Sequence, residues 1–392
     1  MAADASMNAV VLGAGALGLG FLGPELTPRC HITYLDIPAK ADLLNHLRDA
    51  GRYTFNETGL SMRAIEVSGV GGLCMDTPAD APRVAEALDR ADLVITAVGE
   101  PNLPKVAPVL AQVALRRTPE RPLRILCAEN GVDIAHNLGA AIEVAAQQDL
   151  GALLLVGDTV MGRMCKIVTD PAPPIRPVAP GLSWAVVAEP YFGIPVQAHA
   201  VAGLSGLPPA VRPQAPEVFS ASEDVKMLSH NGLHAVISCL GYLRGRQYFD
   251  ELREDAEIME LARRLLVQEA GAALLRKHRG ALDRNEYLNY SDWILRRVTC
   301  PVLHDPIERG VRGIMRKLQP WERLVYSVRT VSRQGIEPAA FATGLAAAVE
   351  VALRTGETKM SFDEVLAGWC KFDPDLEAPL IRLVVSRREG FF

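Results

Sequence analysis

Apolar residues in the first 135 positions fall into short, near-continuous runs separated by segments of helical periodicity. Residues 9–12, 31–35, 93–98 and 125–128 are the clearest runs, each apolar at nearly every position. Strands covered on both faces read this way, because neither set of alternating side chains meets water. Residues 42–49 and 106–115 instead repeat apolar positions at helical spacing. Strand and helix alternating in this order predict an α/β domain with a parallel, doubly wound sheet. Residues 153–156 and 184–188 are further extended candidates within a less regular region. Pro208, Pro209, Pro213 and Pro216 then mark a linker, since proline fixes φ and removes a backbone donor. Beyond it the signal is helical, with long apolar periodicities over residues 251–277 and 338–354. The predicted layout is an α/β domain over residues 1–207 and an all-α domain over residues 208–392.

A chain of 392 residues, 49% hydrophobic and 22% charged, suffices for two folded cores. Its formal net charge of -5 supplies no basic footprint, so nucleic acid is not expected as a partner. No apolar run approaches the roughly 18 residues of a membrane span, so no membrane is expected either. Residues 1–8 lack the basic and apolar regions of a secretory signal. The seven cysteines are scattered, with no Cys-x-x-Cys pair, which points away from disulfide frameworks and zinc knuckles. A cytoplasmic monomer or homodimer with a small-molecule partner is the reading these features favour.

Two motifs carry chemistry. Gly13, Gly15 and Gly18 form Gly-x-Gly-x-x-Gly directly after the first strand, and a helix-compatible run follows. Such glycines permit a tight turn, a close approach to a pyrophosphate, and packing of the next helix, whose N-terminus attracts phosphate. Asp36 ends the second strand about 20 residues on, where an acid accepts from an adenosine ribose. That carboxylate repels a 2′-phosphate, so the expected cofactor is NAD; Lys40 lies too far along to reverse the preference. The first domain is therefore expected to be Rossmann-type. Ala97 and Val98, at another strand end, are expected beside the cofactor.

The second motif is Lys226-x4-Asn231-x2-His234. On a regular helix with Lys226 at zero, Glu223 falls near 60°, His230 near 40°, His234 near 80° and Asn231 near 140°. Leu228, Leu233, Val236, Cys239, Leu240 and Leu243 occupy the opposite face. Met227 and Ile237 interrupt the polar face, which reads as one lined to receive a ligand. A lysine whose pKa is lowered can take a hydroxyl proton while a nicotinamide takes hydride. An amide can steady the reacting oxygen. His230 and His234 have the spacing of two metal ligands, but the intervening glutamate of zinc proteases and a third ligand are missing, so no metal is expected.

With these residues the chain resembles the polyol-specific long-chain dehydrogenases, the mannitol dehydrogenase family, and its mannitol-1-phosphate 5-dehydrogenase branch in particular. The likeness spans nearly the whole chain: Gly13 to Gly23, the strand Asp92 to Gly99, Cys127-Ala128-Glu129-Asn130, the lysine signature, and a basic segment holding Arg309, Arg312, Arg316 and Lys317. The resemblance implies metal-independent hydride transfer between NAD and a sugar alcohol, such as a polyol phosphate, and its ketose. It implies Lys226 as general acid/base, Asn231 and Asn130 as donors to the reacting oxygen, His234 as a hydroxyl binder and Glu223 as proton relay, with Asp224 as the substitute relay. Arg309, Arg312 and Arg316 would bind substrate, and a phosphate in particular, since arginine grips it bidentately; pairing with Glu308 and Glu322 is the other reading. One departure stands out. Where the family carries Val-Asp-Arg-Ile, this chain has Met161-Gly162-Arg163-Met164, which implies a lost hydroxyl acceptor and a widened pocket.

Two other readings compete. A ketopantoate-reductase-like 2-hydroxy acid dehydrogenase also joins such domains and uses lysine and asparagine, but Asp36 and His234 oppose it. A catalytically silent NAD-binding regulator would be expected to lose the lysine or the asparagine, and both are here.

Overall fold

Val10 and Leu12 on the first strand face one apolar core, while Ala9 and Val11 face another. That two-sided burial produces the continuous apolar runs and builds the sheet. In the computed structural model, residues 7–59, 61–131, 133–191 and 193–389 are described. Residues 1–6 of the N-terminal stretch read for a secretory signal lie outside them.

The chain divides into two compact units, Met1–Phe219 and Ser220–Phe392. Unit 1 holds twelve strands among its described residues: β1 (Met7–Leu12), β2 (Cys30–Asp36), β3 (Arg52–Glu57), β4 (Arg63–Ser68), β5 (Val70–Cys74), β6 (Leu93–Thr96), β7 (Leu123–Cys127), β8 (Leu154–Asp158), β9 (Cys165–Thr169), β10 (Trp184–Ala188), β11 (Ile194–Gln197) and β12 (Val211–Gln214). Six form a parallel sheet in the order β5-β2-β1-β6-β7-β8. This is the doubly wound order with its reversal between β1 and β6, the edge at which such folds bind ligands. The helices α1 (Ala41–Ala50), α2 (Ala81–Arg90), α3 (Leu103–Ala114) and α4 (Ile134–Ala146) belong to its crossovers. A second sheet, β4-β3-β10-β9, and the β11-β12 pair complete the unit.

The proline-rich stretch expected as a linker contains β12, which pairs in parallel with β11 from Ile194↔Val211 to Gln197↔Gln214. That pairing attaches residues 211–214 to unit 1, and the compact boundary follows at 219/220 rather than at 207/208.

Unit 2 is helical, and no strand occurs among its described residues. It comprises α5 (Pro216–Asp224, whose last residues belong here), a π-helical turn over Val225–Gly232, α6 (Leu233–Leu243), α7 (Ala256–Arg264), α8 (Ala272–Lys277), α9 (Arg284–Val298), α10 (Ile307–Val311), α11 (Ile314–Lys317), α12 (Arg323–Arg333), α13 (Ala339–Thr355) and shorter pieces. α13 is alanine-rich and buried around most of its circumference, as a central helix must be. Small residues let its neighbours approach. A Cβ on Gly344 would lie 2.2 Å from the Val236 side chain of α6. The apolar run over 251–277 is broken into helices by a π turn at Leu265–Gly271. No helix of the described residues is long and apolar enough to cross a membrane.

Candidate active site

In unit 1 the glycines stand where sterics demand them. Gly13 has φ +109°, and a Cβ there would sit 2.3 Å from the Ala97 carbonyl oxygen. A Cβ on Gly18 would sit 2.1 Å from the Gly13 carbonyl oxygen. Gly15 is the opposite case, with nothing within 4 Å of its Cβ position, which leaves room for a ligand against the backbone. The loop, Ala97 and Val98 are thus brought together. Asp36 joins them: its Oδ2 accepts from the Ala14 amide at 2.7 Å and its Oδ1 from the Ile37 amide at 2.7 Å. Two bonds leave acceptor capacity on the carboxylate for ribose hydroxyls. Lys40 lies over the Trp184 ring, 4.3 Å from its centroid.

Glu129, part of the β7 strand-end motif, proves to be a brace. Its Oε1 accepts from the Val98 amide at 2.9 Å and its Oε2 from the Gly99 amide at 3.0 Å, locking the ends of β6 and β7 together. Burial raises its pKa although both amides favour the charged form. Asn130 follows it, exposed at the carboxyl end of β7.

The glycine at 162 does not widen a pocket. A Cβ there would lie 2.3 Å from the Tyr191 hydroxyl and 2.6 Å from its Cζ. Tyr191 occupies that space and packs edge-on against Phe21, with ring centroids 5.6 Å apart. The neighbouring Arg163 is buried, donating to the Glu189 carbonyl at 2.5 Å and pairing with Glu57 at 2.9 Å and Glu25 at 3.3 Å. Restoring an acid by Gly162→Asp is therefore expected to cost about 1–3 kcal/mol of stability by overpacking. Thermal unfolding checks this, and an unshifted midpoint would show that the ring yields freely.

In unit 2 the lysine and asparagine of the motif sit on a π turn, not on a regular helix, and His234 lies in the first turn of α6. Hydrogen bonds that close five residues on widen the turn and bring positions five apart towards one line, so Lys226 and Asn231 lie closer to a common face than regular-helix spacing predicts. Gly232 makes the turn packable: a Cβ there would lie 2.9 Å from the Phe341 ring and 3.3 Å from Ser327 Oγ. The Asn231 amide and the His230 ring have no hydrogen-bond partner among the described residues.

Burial, reinforced by the charge of Arg323, pulls the Lys226 ammonium down to about 8, although Glu223 opposes the shift. Glu223 is exposed, while Asp224 is committed elsewhere. Asp224 receives His278 Nε2 at 2.5 Å, Lys277 Nζ at 2.6 Å and the Tyr326 hydroxyl at 2.6 Å. These three bonds anchor the segment.

His234 is held near Asp305, with Nε2 3.9 Å from Oδ2, and packs on Phe249 at a centroid distance of 4.4 Å. Burial lowers its pKa to about 4, and burial lowers that of His230 well below the usual range, so both rings are neutral at pH 7. Among the described residues no three His, Cys, Asp or Glu side chains converge as metal ligands.

The three arginines of the basic segment do not converge. Arg309 forks onto Asp305, through Nε at 2.8 Å and through Nη2. Arg316 pairs with Glu322 at 2.6 Å. Arg312 is exposed and lines a groove of about 640 Å³ with Tyr242, Arg246, Tyr248 and Glu308. Lys317, in contrast, is buried, and its amine donates to the Gly310 carbonyl. Arg323 escaped the sequence reading because it lies beyond the basic run, as the first residue of α12 behind its Glu322 cap.

Comparison with known proteins accounts for both units. The mannitol dehydrogenase Rossmann domain matches residues 7–203, and the mannitol dehydrogenase C-terminal domain matches residues 220–364. A mannitol-1-phosphate 5-dehydrogenase of Exiguobacterium sibiricum is 28% identical over 88% of this chain and 85% of its own length. Another, from Geobacillus thermodenitrificans, is 30% identical over 81% and 80%. The structure of Pseudomonas fluorescens mannitol 2-dehydrogenase, a ternary complex with NAD and D-mannitol, shares the fold with a TM-score of 0.69 at 13% identity, covering 99% of this chain and 92% of that one. Glycine loop, lysine signature and both domain matches agree, and the chain belongs to the mannitol dehydrogenase family.

Proposed function

We propose that this protein is an NAD-dependent, metal-independent oxidoreductase that interconverts a polyol phosphate, such as mannitol 1-phosphate, and its ketose phosphate. The observation that carries the reading is a lysine held near 8 on a π turn, followed five residues on by an amide with no partner among the described residues. The names of the relatives, matched over most of both chains, support the phosphorylated substrate.

The open space at Gly15 and the spare acceptor capacity of Asp36 fit the pyrophosphate and ribose of a dinucleotide. When bound, NAD supplies hydride transfer. The chain's own residues handle the proton. Neutral Lys226 takes it from the alcohol in oxidation, and its ammonium returns it to the carbonyl oxygen in reduction. Asn231 donates to that oxygen as charge develops on it. His234, neutral and fixed by Asp305 and Phe249, offers a ring nitrogen to substrate hydroxyls. Exposed Glu223, three residues before Lys226, exchanges the proton with solvent.

The test is turnover of mannitol 1-phosphate with NAD and with NADP. The wild type is expected to use NAD and strongly to disfavour NADP. Asp36→Ala is expected to narrow that ratio and also to weaken NAD, because Asp36 props the loop at Ala14. No turnover with either cofactor would overturn the proposal, and an unchanged ratio in the variant would remove Asp36 from cofactor selection.

A further inference from the structure

Four basic side chains surround the catalytic segment's neighbours α10 to α12, but their charges are not equally available. Arg309 is bound to Asp305 through two nitrogens. Arg316 is more than half exposed and bound to Glu322 Oε1. Arg323 shares that same carboxylate, its Nε donating to Glu322 Oε2 at 3.1 Å. One carboxylate thus answers two guanidiniums, and the Arg323 side chain, 18% exposed, has no other ion pair among the described residues. Lys317 is buried, and among the described residues its amine donates to the neutral Gly310 carbonyl. Two of its three donors remain.

The placement of α12 directs Arg323 towards Lys226. The Tyr326 hydroxyl reaches Asp224 at 2.6 Å, and Ser327 Oγ stands 3.3 Å from the Cβ position of Gly232. Those two contacts lay α12 along the π turn. Arg323 is four residues before Ser327, so it shares the face that Ser327 presents to the turn. Its charge accordingly acts on Lys226, His230 and Lys317 together. Burial, with Arg323, brings Lys317 down to about 8, the same value as Lys226.

We propose that Arg323, with Lys317, forms the anion subsite that selects a phosphorylated substrate, and that Arg312 and Arg316 have no part in it. The inference rests on the polyol-phosphate reading above and assigns its specificity to one guanidinium. Partly buried like charges repel strongly because the local dielectric is low. A phosphate monoester carrying close to two negative charges relieves that repulsion, and an arginine fork binds it bidentately. A free polyol offers no such gain.

The experiment compares wild type, Arg323→Gln and Arg323→Lys with NADH, using fructose 6-phosphate and fructose as paired substrates. The ratio of kcat/KM for the phosphorylated over the free ketose is expected to fall about 10- to 100-fold in Arg323→Gln, the loss of charged hydrogen bonds. Arg323→Lys, which keeps the charge and loses the fork, is expected to fall between and serves if the glutamine variant does not fold. Inorganic phosphate is expected to compete with fructose 6-phosphate in the wild type and to compete poorly in Arg323→Gln. A pH midpoint of fructose reduction that moves upward without any change in the ratio would make Arg323 only a modulator of Lys226, beside Glu223 and His230, and overturn the proposal. A wild type that prefers fructose would instead overturn the polyol-phosphate reading itself. A wild type that prefers fructose 6-phosphate with an unchanged ratio in the variants would overturn this inference alone.

Discussion

Lys226→Ala is expected to lower kcat by about 10²–10⁴-fold in both directions, the range a positioned proton-transfer group supplies. The loss follows from the environment that the lysine enjoys. Burial and Arg323 hold it near 8, so at pH 7 to 8 both protonation states are populated, which suits one residue to both directions of the proposed reaction. Alanine would leave the reacting oxygen with amide donors only, and an amide can donate a hydrogen bond but cannot take up the proton. NADH affinity, read by fluorescence titration, is expected to stay unchanged, because the glycine loop and Asp36 that would hold the dinucleotide belong to unit 1. A variant that loses cofactor affinity in step with kcat would give Lys226 a structural role instead.

Asp224→Ala is expected to destabilise the helical unit by about 3 kcal/mol, since it strands Lys277 and His278 around a buried vacancy. For a unit of this size that corresponds to a thermal midpoint lower by about 6–12 °C. Burial by itself raises the Asp224 pKa, but the bonds from Lys277, Tyr326 and His278 outweigh it and hold the carboxyl below its usual range. The sign follows. A depressed folded-state pKa contributes stability above the unfolded value of about 3.9, and that contribution is lost as pH falls through the folded value. Wild-type stability should therefore drop below about pH 4, and Asp224→Asn should flatten that part of the curve. An equally steep acid limb in the asparagine variant would place the titration on another carboxylate.

The parallel sheet was legible because its strands are buried on both faces, so β1, β2, β6 and β7 announce themselves as apolar runs. The hairpin of β3 and β4 was not. Arg52–Glu57 buries Tyr53 and Phe55 between polar neighbours, and Arg63–Ser68 buries only Val67, which leaves little periodic signal. β12 was hidden by Pro213, tolerated because its strand forms one side of a two-stranded ribbon. The lysine signature was legible as spacing, but not as geometry. Nothing in Lys226 to Gly232 declares a π turn, which packs at Gly232 against Phe341 and Ser327, residues distant in sequence. The arginines around residue 312 look alike in sequence. Only the structure shows that Arg309 has Asp305 to itself, whereas Arg316 and Arg323 share the single carboxylate of Glu322. Gly162 likewise read as a vacancy until Tyr191, distant by 29 positions in the numbering, appeared in the space.

The proton chemistry of Lys226 is tested most directly by pH profiles of kcat in the two directions, for mannitol 1-phosphate with NAD and fructose 6-phosphate with NADH. Oxidation requires the neutral amine, so its kcat should rise with pH through a midpoint near 8. Reduction requires the ammonium, so its kcat should fall through the same midpoint. Profiles that are flat, or that move in the same direction, would contradict a single lysine acting as base in one reaction and acid in the other.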